Sequence, residues 1–269
     1  MSFFSSIGRV TAEGLATARE TFAFLGEALV CALTAIVRPR QIRLRDSMLA
    51  FQRASAGGLP ITIGIGFLLG VILAFQTASV LKSFGVETFV ANMLAIALFR
   101  ELGPIITAII LAGRTGSAFA AEIGTMKVNE ELDALTTMGL PPVRFLVLPR
   151  VAAAVLAMPV LTIFAELAGL FGGSVVLQAM GVPAVVYWRG VVTSTTAYMI
   201  FEGLTKGAIF GFLVGLIGCL AGVRTTASSD GVGRSATSAV VWSIVAIAVT
   251  DGLLAVITYV WGIGMKINI

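Results

Sequence analysis

Residues 99–142 read FRELGPIITAIILAGRTGSAFAAEIGTMKVNEELDALTTMGLPP, and this stretch decides the fold. It begins inside an apolar run that carries an adjacent Arg100 and Glu101. The run leaves through small residues, Gly113 to Ala121, into a polar helix-like piece closed by Gly139 and Pro141–Pro142. Glycine accepts the left-handed conformation of a helix C-terminal cap, and proline cannot continue a helix. Apolar, then amphipathic, then stopped is the order expected where a membrane helix hands over to an element outside the bilayer.

The whole chain agrees with that local reading. Its 269 residues are 58% hydrophobic and only 12% charged, with a mean hydropathy of +1.00. A soluble domain of this length needs far more polar surface. The expected fold is an all-α integral membrane protein with one helical bundle. Histidine is absent, which excludes a His zinc site, a Ser–His triad and a His proton relay. Cys31 and Cys219 sit in apolar contexts and read as small core side chains, not a disulfide or metal site. The N-terminus carries Arg9, Glu13, Arg19 and Glu20 without a compact apolar core, unlike a signal peptide. The net charge of +4 is explained by topology and implies no nucleic-acid partner.

Residues 1–58 read as an N-terminal interfacial and cytoplasmic helical segment. Phe22, Leu25, Leu29 and Leu33 recur at helical spacing opposite Arg19, Glu20 and Glu27, as in a helix lying in the interface. A second reading makes 22–37 a sixth, short span. Residues 59–269 read as the five-span domain. The spans are expected at about 59–81, 86–112, 145–180, 198–223 and 238–261, with a helix at about 116–138 between the second and third. Trp188, Trp242, Tyr259 and Trp261 fall near the expected ends, as interfacial anchors do.

Lysine and arginine set the orientation. Arg9, Arg19, Arg38, Arg40, Arg43, Arg45 and Arg53 precede the first span. Arg114, Lys127, Arg144 and Arg150 fall in the second inner segment, and Arg224 and Arg234 in the third. Only Lys82, Arg189 and Lys266 lie in outer segments. The positive-inside rule then places the N-terminus in the cytoplasm and the C-terminus outside. No internal repeat of 20–50 residues is visible, and five spans do not divide into equal inverted halves.

Four groups of residues are candidates for function. Arg100, Glu101, Glu166, Glu202, Lys206 and Asp251 lie within spans, where a charge costs at least ~2.5–3.5 kcal/mol and needs a partner or a wet cavity. A Lys206–Asp251 pair is expected, with Glu101 close enough to join, so that Asp251→Ala strands Lys206. The same charges read equally as a register-fixing network. Because acids outnumber bases, one of Glu101, Glu166 and Glu202 is expected to hold its proton. Gly203, Gly207, Gly211 and Gly215 recur every four residues and invite close helix packing. Leu73, Gln76, Val80 and Phe84 share one face, with Thr77 and Leu81 beside them. One amide among large apolar groups suits a greasy ligand with a polar head, and ordinary helix packing explains it equally. Finally, Ile123, Met126, Leu132 and Leu135 line one side of the 122–138 segment, with Glu122, Lys127, Glu130, Glu131 and Asp133 on the rest. Such a short amphipathic helix fits a partner's groove.

No GxxxxGK[ST] phosphate loop occurs, so the chain is not expected to hydrolyse ATP itself. No side-chain arrangement reads as catalytic, and no enzyme activity or resident cofactor is expected.

The order RELGP, AGRxGSAxAAEIGTM and LxxMGLP resembles the MlaE (YrbE) family of ABC-transporter permeases. The likeness continues through PRVAAAVLAMPVLTIFAELAGLFGGSVV and EGLTKGAIFG, and covers about residue 59 to the end. The resemblance implies a non-catalytic permease subunit of a phospholipid transporter in the bacterial inner membrane, contributing to outer-membrane lipid homeostasis. It implies a homodimer, two ATP-binding cassette ATPase subunits that hold ATP and Mg, and a hexameric ring of MCE-domain protein on the periplasmic side. Some such systems add a STAS-domain subunit. It carries over Leu73, Gln76, Val80, Leu81, Phe84 and Leu102 as lipid contacts, and Arg100, Glu101, Lys206 and Asp251 as the buried charges. It also carries over Glu122, Met126, Lys127, Glu130, Glu131 and Leu132 as the coupling helix that meets the ATPase. A rival reading from the residues is an ion-coupled secondary transporter using Glu101, Lys206 and Asp251.

Overall fold

The computed structural model describes residues 44–260, together with positions 19, 26, 27, 30 and 31. The expected interfacial helix, apart from those five positions, the basic residues 38–43 and the final residues 261–269 lie outside the described residues. Among the described residues there are helices and connecting turns and no strands.

Among the described residues, five helices are long and apolar enough to cross a membrane: α1 (Leu44–Lys82), α2 (Val90–Val128), α4 (Val143–Ala179), α6 (Ala197–Val223) and α7 (Ser229–Val260). A short α3 (Glu131–Thr137) joins α2 to α4, and α5 (Ala184–Ser194) joins α4 to α6. Two helices reach much further than their apolar runs. α1 begins at Leu44 and passes unbroken through residue 58 and Pro60, because Leu, Met, Ala, Gln and Arg favour helix there. α2 continues to Val128, sixteen residues beyond Ala112. The amphipathic stretch expected at 116–138 is therefore two pieces: the last turns of α2, then α3. The break falls at Glu130, whose φ of 59° is left-handed. At the other end of α3, Gly139 takes φ 73°, the Leu140 N–H bonds the Leu135 carbonyl and the Gly139 N–H bonds that of Thr136. This paired cap satisfies carbonyls that the helix end leaves open.

α2 is not a uniform helix. It widens to π-helical turns at Leu98–Leu102 and Ala112–Gly116, and α4 does so at Val143–Val147. Two of these turns immediately precede Gly103–Pro104 and Leu148–Pro149. Proline has no N–H to offer the carbonyl four residues back, and a wider turn relieves the resulting clash. The third is supported by Ser117, whose Oγ donates to the Gly113 carbonyl at 2.6 Å.

Helices α2, α4 and α6 form the middle of the bundle, with half or more of their apolar windows buried, against 28% for α1 and 11% for α7. α1 lies along α4 through a seam of small residues. Gly58, Thr62, Gly66, Gly70, Ala74 and Ala78 are all buried, and a Cβ at Gly70 would strike the Gly169 carbonyl. α6 packs the same way on two neighbours. Gly211 and Gly215 sit against Ala154 and Val151 of α4, while Gly203, Gly218 and Gly222 face Phe99, Gly116 and Ile123 of α2. Lipid supplies no hydrophobic force between helices, so close van der Waals contact of this kind holds a membrane bundle together.

Two apolar clusters result. One, around Leu111, Ile123, Val151, Met158 and Phe210, fills the half nearest α3. The other, around Val90, Leu94, Leu98, Leu170 and Tyr187, fills the half nearest α5. Tyr187 is fully buried, and its hydroxyl donates to the Leu170 carbonyl at 2.7 Å, which anchors α5 to α4.

Candidate functional site

The level between the two clusters is charged. Lys206 is ~14 Å along α6 from its first residue, about a third of the way along a ~40 Å helix. Its Nζ donates to Glu101 Oε2 at 2.6 Å and to Asp251 Oδ1 at 3.2 Å, joining α6 to α2 and α7. Arg100 Nε lies 4.0 Å from Glu101 and 3.7 Å from Glu202. One chain of contacts thus runs Glu202, Arg100, Glu101, Lys206, Asp251. The π turn at Leu98–Leu102 carries both Arg100 and Glu101, so the two neighbours in sequence engage different partners on α6.

The expected Lys206–Asp251 pair is present with Glu101 joined to it, and only the consequence drawn for Asp251→Ala changes. Lys206 is closer to Glu101 than to Asp251, so removing Asp251 leaves Lys206 paired. Glu202 turns to Arg100 and not to Lys206 four residues on, and neither of its oxygens has a hydrogen-bond partner. Glu166 is buried on α4 beside Gly103, whose missing Cβ leaves the space that its side chain occupies. It makes no ion pair with any described residue. The Lys206 side chain is only 4% exposed while that of Glu101 is 36% exposed, so the network opens sideways at α2.

The carried-over lipid contacts lie towards the α5 end. Gln76 and Val80 are exposed on α1, and Phe84 is exposed in the turn that follows it. Leu73, Leu81 and Leu102 are half-buried against the apolar cluster of the same half.

The residues that the resemblance carries over as a coupling helix divide by direction. Leu132 is buried and Met126 half-buried, both within the core at the α3 end. Lys127 Nζ donates to the Val223 carbonyl at 2.6 Å, at the last residue of α6. Glu122 pairs with Arg150 of α4 at 3.1 Å. Glu130 and Glu131 are exposed, at the left-handed corner between α2 and α3. The same short segment therefore grips α4 and α6 on one side and presents acid on the other.

Three features escaped the sequence reading. The small-residue seam of α1 was legible as a four-residue spacing from Gly58 to Ala78, in the same way as that of α6. α5 was hidden because eleven mixed residues after a proline carry no clear period. Arg100 with Glu202 was not foreseen because the π turn shifts Arg100 from the face that regular helix spacing assigns it.

The sequence profile of the family described as "Permease MlaE" matches residues 48–257. A probable ABC transporter permease protein of Synechocystis is 35% identical over 216 residues, covering 80% of this chain and 82% of that one. The chloroplast protein TRIGALACTOSYLDIACYLGLYCEROL 1 of Arabidopsis thaliana is 34% identical over 216 residues, 80% of this chain and 62% of that one. The intermembrane phospholipid transport system permease protein MlaE of Haemophilus influenzae is 33% identical over 263 residues, 96% of this chain and 98% of that one. A profile spanning most of the chain and a near full-length relative, on five membrane-length helices, settle its kinship: the chain belongs to the MlaE family of ABC-transporter permeases.

Proposed function

We propose that this chain is the membrane subunit of a phospholipid transporter, acting as a homodimer in the bacterial inner membrane with its N-terminus in the cytoplasm. Two separate ATPase subunits dock at α3, and a hexameric MCE-domain ring receives or delivers lipid on the periplasmic side. A STAS-domain subunit belongs to the proposal only as an optional addition. The observation that carries the reading is the end-to-end similarity to the Haemophilus phospholipid permease.

The geometry gives the reading a physical route. Glu130 and Glu131 offer the ATPase an exposed acidic corner. A push there reaches α6 through Lys127 and Val223, and α4 through Glu122 and Arg150. α6 carries Lys206, which holds α2 at Glu101, beside the outward face of Leu73, Gln76, Val80, Leu81, Phe84 and Leu102. Lipid tails rest on that face, and the dimer closes it into a cavity. A change in its width alters lipid affinity between two states, which is what a transporter requires of its membrane part.

The test is purification of the tagged chain from native membranes in mild detergent, with and without Glu130→Lys/Glu131→Lys. An ATPase and phospholipid accompany the native chain, and the double variant loses the ATPase while keeping the lipid. A chain that purifies alone, without ATPase, overturns the proposal.

A further inference from the structure

One pocket in the described structure lies away from the lipid-facing end. A cavity of ≈ 390 Å³ lies at the α3 end, between the first turns of α1, the lower part of α2 and the start of α4. Arg53, Arg114 and Arg150 converge on it from three different helices. Asp46 and Glu122 also reach it, so its net charge is positive. Its remaining wall is apolar and includes Phe119 and Phe145.

The three arginines are not equivalent. Arg150 is engaged with Glu122 at 3.1 Å and with the Leu146 carbonyl at 3.0 Å. Arg53 and Arg114 make no ion pair or side-chain hydrogen bond among the described residues. The Arg114 guanidinium lies across Gly57 of α1, in the place that any Cβ would take. Two unpartnered guanidinium forks, one of them seated on a glycine, therefore face the same polar and apolar space. A guanidinium presents paired donors that match phosphate oxygens, and volumes of roughly 300–1,000 Å³ are those of small-ligand pockets.

Depth identifies the source of the phosphate. Arg53 precedes the apolar run of α1 by six residues and Arg114 follows that of α2 by two, while Arg150 lies five residues inside the start of that of α4 at Phe145. At 1.5 Å per residue, each is within ~9 Å of the edge of an apolar run, which is headgroup depth. We infer that this cavity binds the phosphate of an anionic lipid headgroup from the leaflet at the α3 end. This lipid is distinct from the one proposed on the face of Gln76 and Val80, at the opposite end of α1. Because Arg150–Glu122 forms part of the wall, the bound headgroup braces the segment proposed above to meet the ATPase.

The full chain in detergent micelles doped with dioleoylphosphatidylglycerol or dioleoylphosphatidylcholine, read by native mass spectrometry, tests this. The native chain retains about tenfold more phosphatidylglycerol than phosphatidylcholine, because the two share a phosphate but the choline cation of the second is repelled by the net positive pocket. Arg53→Gln/Arg114→Gln removes that preference and leaves phosphatidylcholine retention unchanged, which separates this site from the transport face. Arg53→Gln alone, a change at an exposed position of one helix, lowers the preference severalfold and guards against misfolding of the double variant. Equal retention of the two lipids by the native chain, or an undiminished preference in a folded double variant, overturns the inference. Displacement of phosphatidylglycerol by excess inorganic phosphate also overturns the lipid source and assigns the cavity to a soluble phosphate.

Discussion

Lys206 Nζ and Glu101 Oε2 are 2.6 Å apart, the shortest ion pair among the described residues, and Asp251 is a second partner of the same Nζ at 3.2 Å. One buried cation thus serves two acids from two helices. Removing the cation strands Asp251 and leaves Glu101 only the 4.0 Å contact with Arg100, whereas removing either acid leaves Lys206 paired. Lys206→Ala is expected to cost ~3–5 kcal/mol, the range for breaking a buried pair, and to lower the unfolding midpoint in detergent. Asp251→Ala is expected to cost less than half of that. Equal losses from the two variants would show that Asp251, not Glu101, is the main partner.

Gly70 and Gly64 lie on the same helix with opposite surroundings. A Cβ at Gly70 meets the Gly169 backbone, while one at Gly64 meets nothing within 4 Å. Gly70→Ala is expected to force α1 from α4 and to destabilise the fold by ~1–3 kcal/mol. Gly64→Ala is expected to be neutral or to gain up to ~1 kcal/mol from helix propensity. Thermal unfolding of the two variants side by side checks the seam.

Val80 is 60% exposed on the face proposed for lipid. Val80→Glu is expected to reduce co-purifying phospholipid severalfold while the unfolding midpoint stays within about 0.5 kcal/mol of the native chain, as surface changes do. Thin-layer analysis of extracted lipid provides the readout. Leu81, half-buried against the core, would confound the same experiment.

Lys127 spans from α2 to the Val223 carbonyl at the end of α6. Lys127→Met keeps the apolar stem and removes a charged hydrogen bond worth ~1.5–3 kcal/mol. ATPase binding is expected to persist while lipid transport per ATP hydrolysed falls severalfold in reconstituted vesicles. Loss of ATPase binding instead would make Lys127 a docking residue.

Tyr187→Phe tests the anchor of α5. It removes only the hydroxyl that bonds Leu170, and a loss of about 1 kcal/mol is expected from thermal unfolding.

Much of this was readable in advance, because bilayer thickness and helix period act on local sequence. The third and fourth spans were expected at about 145–180 and 198–223 and are found as Val143–Ala179 and Ala197–Val223. The first, second and fifth were placed by their apolar cores, and their polar extensions were missed, since α1 starts at Leu44, α2 ends at Val128 and α7 starts at Ser229. Hydropathy reports where lipid is, while helix propensity and packing decide where a helix stops. Phe119, Ile123 and Gly124 are buried in the bundle, and that burial keeps α2 helical past the apolar run.

By itself, the sequence determined that this is a helical membrane protein, that charges lie in mid-span, and that Gly139 and the two prolines close the segment after α2. Those properties follow from composition and from spacing along one chain. Only the tertiary structure decided that Lys206 chooses Glu101 before Asp251, that Arg100 turns to Glu202, and that Arg53, Arg114 and Arg150 share one cavity. Each of these joins residues from separate helices, and their meeting depends on close glycine seams and on π turns that rotate side chains away from regular spacing. Periodicity along a chain assigns a face to each residue; the packed bundle decides what that face meets.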